Sequence, residues 1–243
     1  MLPHEELIYF GDTAHLPYGD KSEAAIQAYS VKIANVLLLK KCKVIVIACH
    51  SASSASYELL KEYVGNEAHV INVIDPMIDE LAAHYCQATV GVIGTKRTIQ
   101  SGIYLKKIKE RDLPIQLRTL STPLLAPMIE EGFFNNQISK EIISQYLSDS
   151  QLGKPDALVL GCTHYPLIKT EIEEFYQGKT VVLDSSVAAA RSLSLYLTSS
   201  NLLNPSKKEV HHFYVSDYTE SFEAATRMFF GETVKLESYP LWN

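Results

Sequence analysis

Short apolar runs alternate with amphipathic stretches along the whole chain. The runs "LIYF" (7–10), "VIVIAC" (44–49), "HVINVI" (69–74), "TVGVIG" (89–94), "IQLRTL" (115–120), "ALVLGC" (157–162), "TVVLDS" (180–185) and "HHFYVS" (211–216) read as strands. Between them, Ile26, Tyr29, Ile33, Val36 and Leu37 recur at helical spacing, and the same period predicts helices within 53–64, 78–85, 98–110, 138–147, 166–176, 187–197 and 220–230. Alternation of strand and helix is the pattern of parallel sheets covered by helices on both faces. Near-continuous apolar strands such as "VIVIA" and "ALVLG" are therefore expected in the middle of their sheets.

Both of those strands end in a cysteine, Cys49 and Cys162, followed by small hydroxylated or imidazole side chains. In doubly wound sheets, ligands sit beyond the carboxyl ends of the strands, where helix N-termini also point. The repeated grammar predicts an α/β protein of two pseudosymmetric doubly wound lobes with mainly parallel sheets, each lobe contributing one strand-end thiol to a shared cleft. Crossovers are expected near Asn72–Pro76 and Asp184–Ser186. The first lobe would then be discontinuous, 1–72 plus 185–243, and the second would be 73–184. A chain of 243 residues suits two lobes of ordinary domain size.

Charge narrows the function classes. The net charge is −6 and Lys and Arg form no cluster, which argues against nucleic acid or anionic lipid as partner. No apolar run approaches the roughly 20 residues of a membrane helix, and "MLPHEELIYF" lacks the basic flank and apolar block of a signal peptide, so a cytoplasmic protein without a membrane partner is expected. Cys42, Cys49, Cys86 and Cys162 are too scattered for a disulfide framework. Cys162 with His164 offers only two adjacent zinc ligands, so no metal is expected. "GVIG" (91–94) lies within a strand and is not a dinucleotide fingerprint, which leaves the chemistry to the protein's own side chains, without a cofactor.

A cysteine in an apolar environment is ordinarily a small hydrophobe, and that suffices for Cys42 and Cys86. Cys49 and Cys162 differ because each stands where a buried strand passes into a helix. There the macrodipole and free N–H groups stabilise a thiolate. A single nucleophilic cysteine would recruit His164 or His50 as base and leave the second thiol idle. A facing pair instead removes a proton from carbon on one side and delivers one to the other, which inverts a stereocentre. Helix N-termini together with Ser51, Ser53 and Thr163 would hold an acidic substrate without an arginine. His211 and His212, adjacent in a strand, point to opposite faces and are expected to be structural.

The segments "IYFGDTAHLPYG" (8–19), "VIVIACHSAS" (44–53), "PMIEEG" (127–132) and "LGCTHYP" (160–166), in this order, resemble the glutamate racemases of the aspartate/glutamate racemase superfamily. The resemblance covers nearly the whole chain. It implies a cofactor-independent isomerase that interconverts L- and D-glutamate for peptidoglycan synthesis, and hence for cell wall and cell shape, and that works as a homodimer. It further implies that Cys49 takes the α-proton from D-glutamate and Cys162 from L-glutamate. Pro17, Tyr18 and Gly19 match a loop that closes on the substrate. His50, Ser51, Thr163 and His164 match contacts to its carboxylates and ammonium, and Thr95 and Thr98 match hydroxyls lining the same pocket. Asp12, Glu130 and His164 match groups that tune the thiols or their proton traffic. Taken alone, Asp12 is also a good turn residue, Glu130 a solvated helix-end charge and Tyr18 turn packing.

The chain departs from this pattern in two places. The opening βα unit carrying an Asp-Ser-Gly motif is not found before "MLPHEEL", so an upstream start is expected, with a gap in the first sheet. His50 stands where asparagine is usual. Two other readings accompany the racemase: an isomerase of aspartate or another acidic substrate, and a truncated, inactive relative that binds a protein partner.

Overall fold

The computed structural model describes residues 1–206, 210–219, 222–223, 226 and 234–242. Strand β1 (Ile8–Gly11) is followed by α1 (Glu23–Leu39), β2 (Val44–Ile47), α2 (His50–Val64), β3 (His69–Asn72) and α3 (Asp75–His84). Next come β4 (Thr89–Gly94), α4 (Lys96–Gln100), α5 (Ile103–Glu110), β5 (Gln116–Ser121), α6 (Leu125–Glu130), α7 (Gln137–Leu147) and β6 (Ala157–Gly161). The chain continues through α8 (Lys169–Tyr176), β7 (Val181–Asp184), α9 (Ser185–Ser199), β8 (His212–Val215) and β9 (Leu236–Ser238). Among the described residues three sheets form, in the orders β1-β8-β9, β2-β3 and β5-β4-β6-β7, and every strand pairing in them is parallel, as alternation with helices requires.

The helix expected over 98–110 is two helices, because Gly102 takes a left-handed φ of +64° between α4 and α5. Short elements α6 and β9 have too few residues for a periodic signal. The helix expected over 220–230 falls largely outside the described residues. His211 lies just before β8, its Nδ1 accepting from the Leu7 N–H, while His212 faces Glu237 at 2.9 Å. Both expected crossovers are strand-to-helix turns closed by side chains. Asn72 Oδ1 accepts from the N–H groups of Ile74 and Asp75, and Asp184 caps α9 through the Ser186 N–H.

The "ALVLG" run is central, as its composition predicts. All of β6 is buried between β4 and β7. Its side chains alternate between two cores: Leu158 packs with Leu125, Ile129 and Ile172, and Val159 with Ile74, Met77, Val92 and Ile108. Burial of each such side chain stabilises by roughly 1.5–3 kcal/mol. The second of these cores also takes Ala188 from α9, so the returning segment packs on the helix side of the four-stranded sheet.

The "VIVI" run departs from expectation. β2 pairs with β3 alone, and Val46 is 38% exposed. Among the described residues no strand lies between β1 and β2, so the two face one another across a cavity of about 1040 Å³ that both strands line. At the N-terminal ends of the two strands Lys43 Nζ meets Glu5 at 2.6 Å. At the carboxyl ends the same cavity reaches both Cys49 and Cys162.

Candidate active site

Cys49 is the N-cap of α2, in extended conformation, with its side chain making no capping hydrogen bond. Three turns of α1 and the strand β2 hold it through a small core containing Ile26, Ile45, Ile47 and Ala52. Burial pushes the Cys49 thiol up. The Ala52 N–H pulls it back, negative charge on Cys162 raises it again, and the Ser51 N–H and hydroxyl lower it. Burial outweighs these donors, so the Cys49 thiol stands above its ordinary value even beside the amides of a helix N-terminus and one hydroxyl.

Cys162 follows β6 and is 7% exposed. Its position is fixed by main chain: a methyl group on Gly161 would stand 2.6 Å from the Ile93 carbonyl oxygen of β4. Cys162 Sγ lies 3.6 Å from His164 Nδ1, and His164 Nε2 lies 3.1 Å from Glu130 Oε1. Burial pulls the imidazole pKa down, but hydrogen bonds and charge from Cys162 and Glu130 outweigh it and raise it to about 10. His164 is therefore an imidazolium at neutral pH, held between a carboxylate and a thiol. Behind this pair Tyr165 is fully buried, its hydroxyl 2.7 Å from that of Thr122.

The loop between β1 and α1 joins the two sides. Asp12, at 8% exposure, accepts from Tyr18 Oη at 2.6 Å, Ser216 Oγ at 2.8 Å and Trp242 Nε1 at 2.7 Å, and His15 Nδ1 lies 3.0 Å away. Burial first and Asp12 second push the Tyr18 phenol up, which keeps it a donor. After the cis Leu16–Pro17 peptide bond, Gly19 meets Thr95 so closely that a Cβ would stand 2.9 Å from the Thr95 Cβ. Ion pairs Asp20–Lys96 at 3.8 Å and Glu23–Arg97 at 3.6 Å follow along the same seam.

Across the seam Ser51 Oγ lies 2.9 Å from Thr95 Oγ1 and 3.4 Å from Thr98 Oγ1. Thr95 caps α4 and lines the cavity, whereas Thr98 is 1% exposed and braces Thr95 and Ser51 from behind. His50 is fully buried and its pKa falls to about 4 through loss of hydration, with Asp184 opposing, so its ring is neutral. Pro17, Tyr18, Gly19, His50, Ser51, Glu130, Thr163 and His164 all line the cavity. Ser53 does not serve a ligand: its hydroxyl donates to the Ile47 carbonyl and accepts from the Val73 N–H, tying β2 to the turn after β3. Sequence reasoning overlooked His15, Thr122, Ser216 and Trp242. Trp242 is the only tryptophan of the chain, a signal that a composition count carries.

Parallel α/β sheets bring two thiols to one cavity, one beside helix amides and one beside an imidazolium, and the relatives of the chain make it an isomerase of the racemase class. A family model described as Asp/Glu/Hydantoin racemase matches residues 1–193, and the chain belongs to that family. It is 38% identical over 231 residues to a glutamate racemase of Geobacter metallireducens, covering 95% of this chain and 85% of that one. A glutamate racemase of Streptococcus equi is 35% identical over 243 residues, covering 99% of this chain and 90% of the relative. Among solved structures, the glutamate racemase of Francisella tularensis in complex with D-glutamate superposes with a TM-score of 0.92 at 34% identity, covering 100% of this chain and 90% of that chain. The activity is racemisation of glutamate, and these relatives favour glutamate over aspartate and over an inactive binding protein. No helix among the described residues is long and apolar enough to cross a membrane.

Proposed function

We propose that Cys49 and Cys162 are the two acid/base groups of glutamate racemisation. A thiolate on one side removes the Cα proton and breaks the C–H bond, and the thiol on the other side gives its proton to the opposite face of the carbanion. Turnover exchanges the protonation states of the two sulfurs, which readies them for the reverse reaction. Cys49 serves D-glutamate and Cys162 serves L-glutamate. The observation that carries this reading is that both thiols line one cavity, Cys49 at the start of α2 and Cys162 just after β6. Because the sulfurs supply both proton transfers, the scheme calls for no cofactor and no metal.

The remaining residues divide by position. The His164–Glu130 pair holds positive charge beside the Cys162 thiolate. His50, Ser51, Thr95 and Thr163 offer donors to the substrate, with Thr98 supporting them. Pro17, Tyr18 and Gly19 cover the site, and Asp12 anchors that cover rather than carrying protons, since its oxygens are already engaged. The lobes, 1–72 with 185–243 and 73–184, close on glutamate across the Ser51–Thr95 seam. In this reading the enzyme is a cytoplasmic homodimer that supplies D-glutamate for peptidoglycan. In deuterium oxide the protein places deuterium at Cα of both enantiomers. Cys49→Ala and Cys162→Ala each reduce racemisation by more than about 10³-fold. Racemisation persisting in either variant would overturn the two-thiol scheme.

A further inference from the structure

We propose that Trp242 is a positioning residue that holds the 12–20 loop over the substrate cavity by way of Asp12. The inference rests on the reading of Pro17, Tyr18 and Gly19 as the cover of that cavity. Asp12 and Trp242 are 230 residues apart in sequence, yet the indole N–H donates to Asp12 Oδ1 at 2.7 Å. The ring packs edge-on against His15 at 4.5 Å and Tyr29 at 5.2 Å between centroids, and Lys32 Nζ stands 4.6 Å above it. His15 in turn stacks on Tyr29 at 3.9 Å. These contacts place an aromatic wedge against the outer side of the loop, while the inner side, through Gly19, touches Thr95 across the seam.

The physical argument turns on the carboxylate. A buried charge stays put only while donors replace its lost water. Asp12 draws on Tyr18, His15, Ser216 and Trp242 for them. Tyr18 is the donor that belongs to the cavity wall, and Trp242 and Ser216 are the donors that come from the far end of the chain. Without the indole N–H and its ring, Oδ1 keeps the Ser216 hydroxyl but loses its second strong donor and opens to water, and the carboxylate whose Oδ2 orients Tyr18 gains freedom to turn. The loop then spends less time closed. Affinity for substrate falls, whereas the thiols and the His164–Glu130 pair, which Trp242 does not touch, keep their rate once substrate is enclosed.

The experiment combines amide hydrogen exchange with steady-state kinetics on Trp242→Ala and Trp242→Phe in the full chain. In Trp242→Ala the amides of residues 12–20 exchange faster while those of β4 and β6 are unchanged, and KM for both glutamate enantiomers rises roughly tenfold, the effect of one charge-assisted hydrogen bond, with kcat within about threefold. Trp242→Phe, which keeps an aromatic ring but loses the N–H and the fused five-membered ring, falls between Trp242→Ala and the parent. Unchanged exchange in the loop overturns the inference, as does faster exchange spread evenly over the molecule. A loosened loop with unchanged KM instead removes the reading of residues 17–19 as the cover, and the role of Trp242 with it.

Discussion

β2 and β6 carry the same run of branched apolar residues and each ends in a thiol, but the surroundings of the two sulfurs have little else in common. β6 is buried along its whole length between two strands, and Gly161 presses it onto the β4 backbone. β2 has a single partner, alternates between buried and exposed positions, and leads to Cys49 through the exposed Ala48. The charge on the sulfurs is managed differently as well. Cys162 has an imidazolium backed by a carboxylate, whereas Cys49 has the amide donors of a helix start and one serine hydroxyl. In the two-thiol scheme proposed above, the sulfurs would share one reaction without sharing an environment. One is set by side-chain charge on a rigid strand, the other by main-chain dipoles at the end of a looser one.

The sharpest way to break this contrast is at the strand ends. Gly161→Ala forces a methyl group into the Ile93 carbonyl, and we expect a loss of about 2–3 kcal/mol in stability with a fall in kcat of as much as about 100-fold as Cys162 shifts. At the matching position Ala48→Gly should cost under about 1 kcal/mol. Urea unfolding and steady-state rates on both variants measure the difference, and equal costs would show that the two strand ends are equally constrained.

Next in size is removal of the imidazolium. His164→Gln takes the cation from beside Cys162, so racemisation should drop by roughly 10²-fold. At pH 7, iodoacetamide labelling of Cys162 should slow while that of Cys49 does not. Mass spectrometry of the labelled peptides separates the two, and parallel slowing at both sulfurs would contradict the assignment of His164 to Cys162 alone. The same residue predicts a pH effect on folding. The pKa of His164 rises from 6.5 unfolded to about 10 folded, so its contribution to stability is complete below pH 6.5 and is lost as pH rises toward 10.

On the Cys49 side the effect is confined to acid pH, and near neutrality it is the smallest of the three. His50 is depressed to about 4, so between pH 6.5 and 4 the unfolded chain binds a proton that the folded chain refuses. Stability contributed by the neutral ring is complete above pH 6.5 and falls as pH drops, by no more than about 1.4 kcal/mol per pH unit. His50→Asn should flatten that acid limb in thermal unfolding and leave the alkaline limb in place. An unaltered acid limb would show that another group governs it.

Much of this molecule is legible in its sequence because its strands are short, apolar and punctuated. The eight strand runs, the paired cysteines and the Asn72 and Asp184 turns all rest on local chemistry, and each lies within a few residues of where the pattern puts it. What the pattern misses is set by long-range contact. The apolar run "VIVI" does not itself reveal that β2 lacks a second neighbour among the described residues, because side-chain type reports burial and not hydrogen-bond pairing; a gap in the first sheet is expected only from the resemblance. Ser53 and Thr98 look like ligand hydroxyls in one dimension, but they are turned to a carbonyl and to a second hydroxyl row. Ser216 and Trp242 reach Asp12 from more than 200 positions away, and no local periodicity encodes that.

The facing edges of β1 and β2 have a consequence for how the protein behaves in company. Strands with free backbone groups are the usual starting points of association between chains, and soluble proteins commonly blunt them with charges, prolines or bulges. Here both edges look inward on the same recess, with the Lys43–Glu5 pair at its foot. That ion pair sets charge beside the two edges, which is one of the devices by which such backbone is blunted.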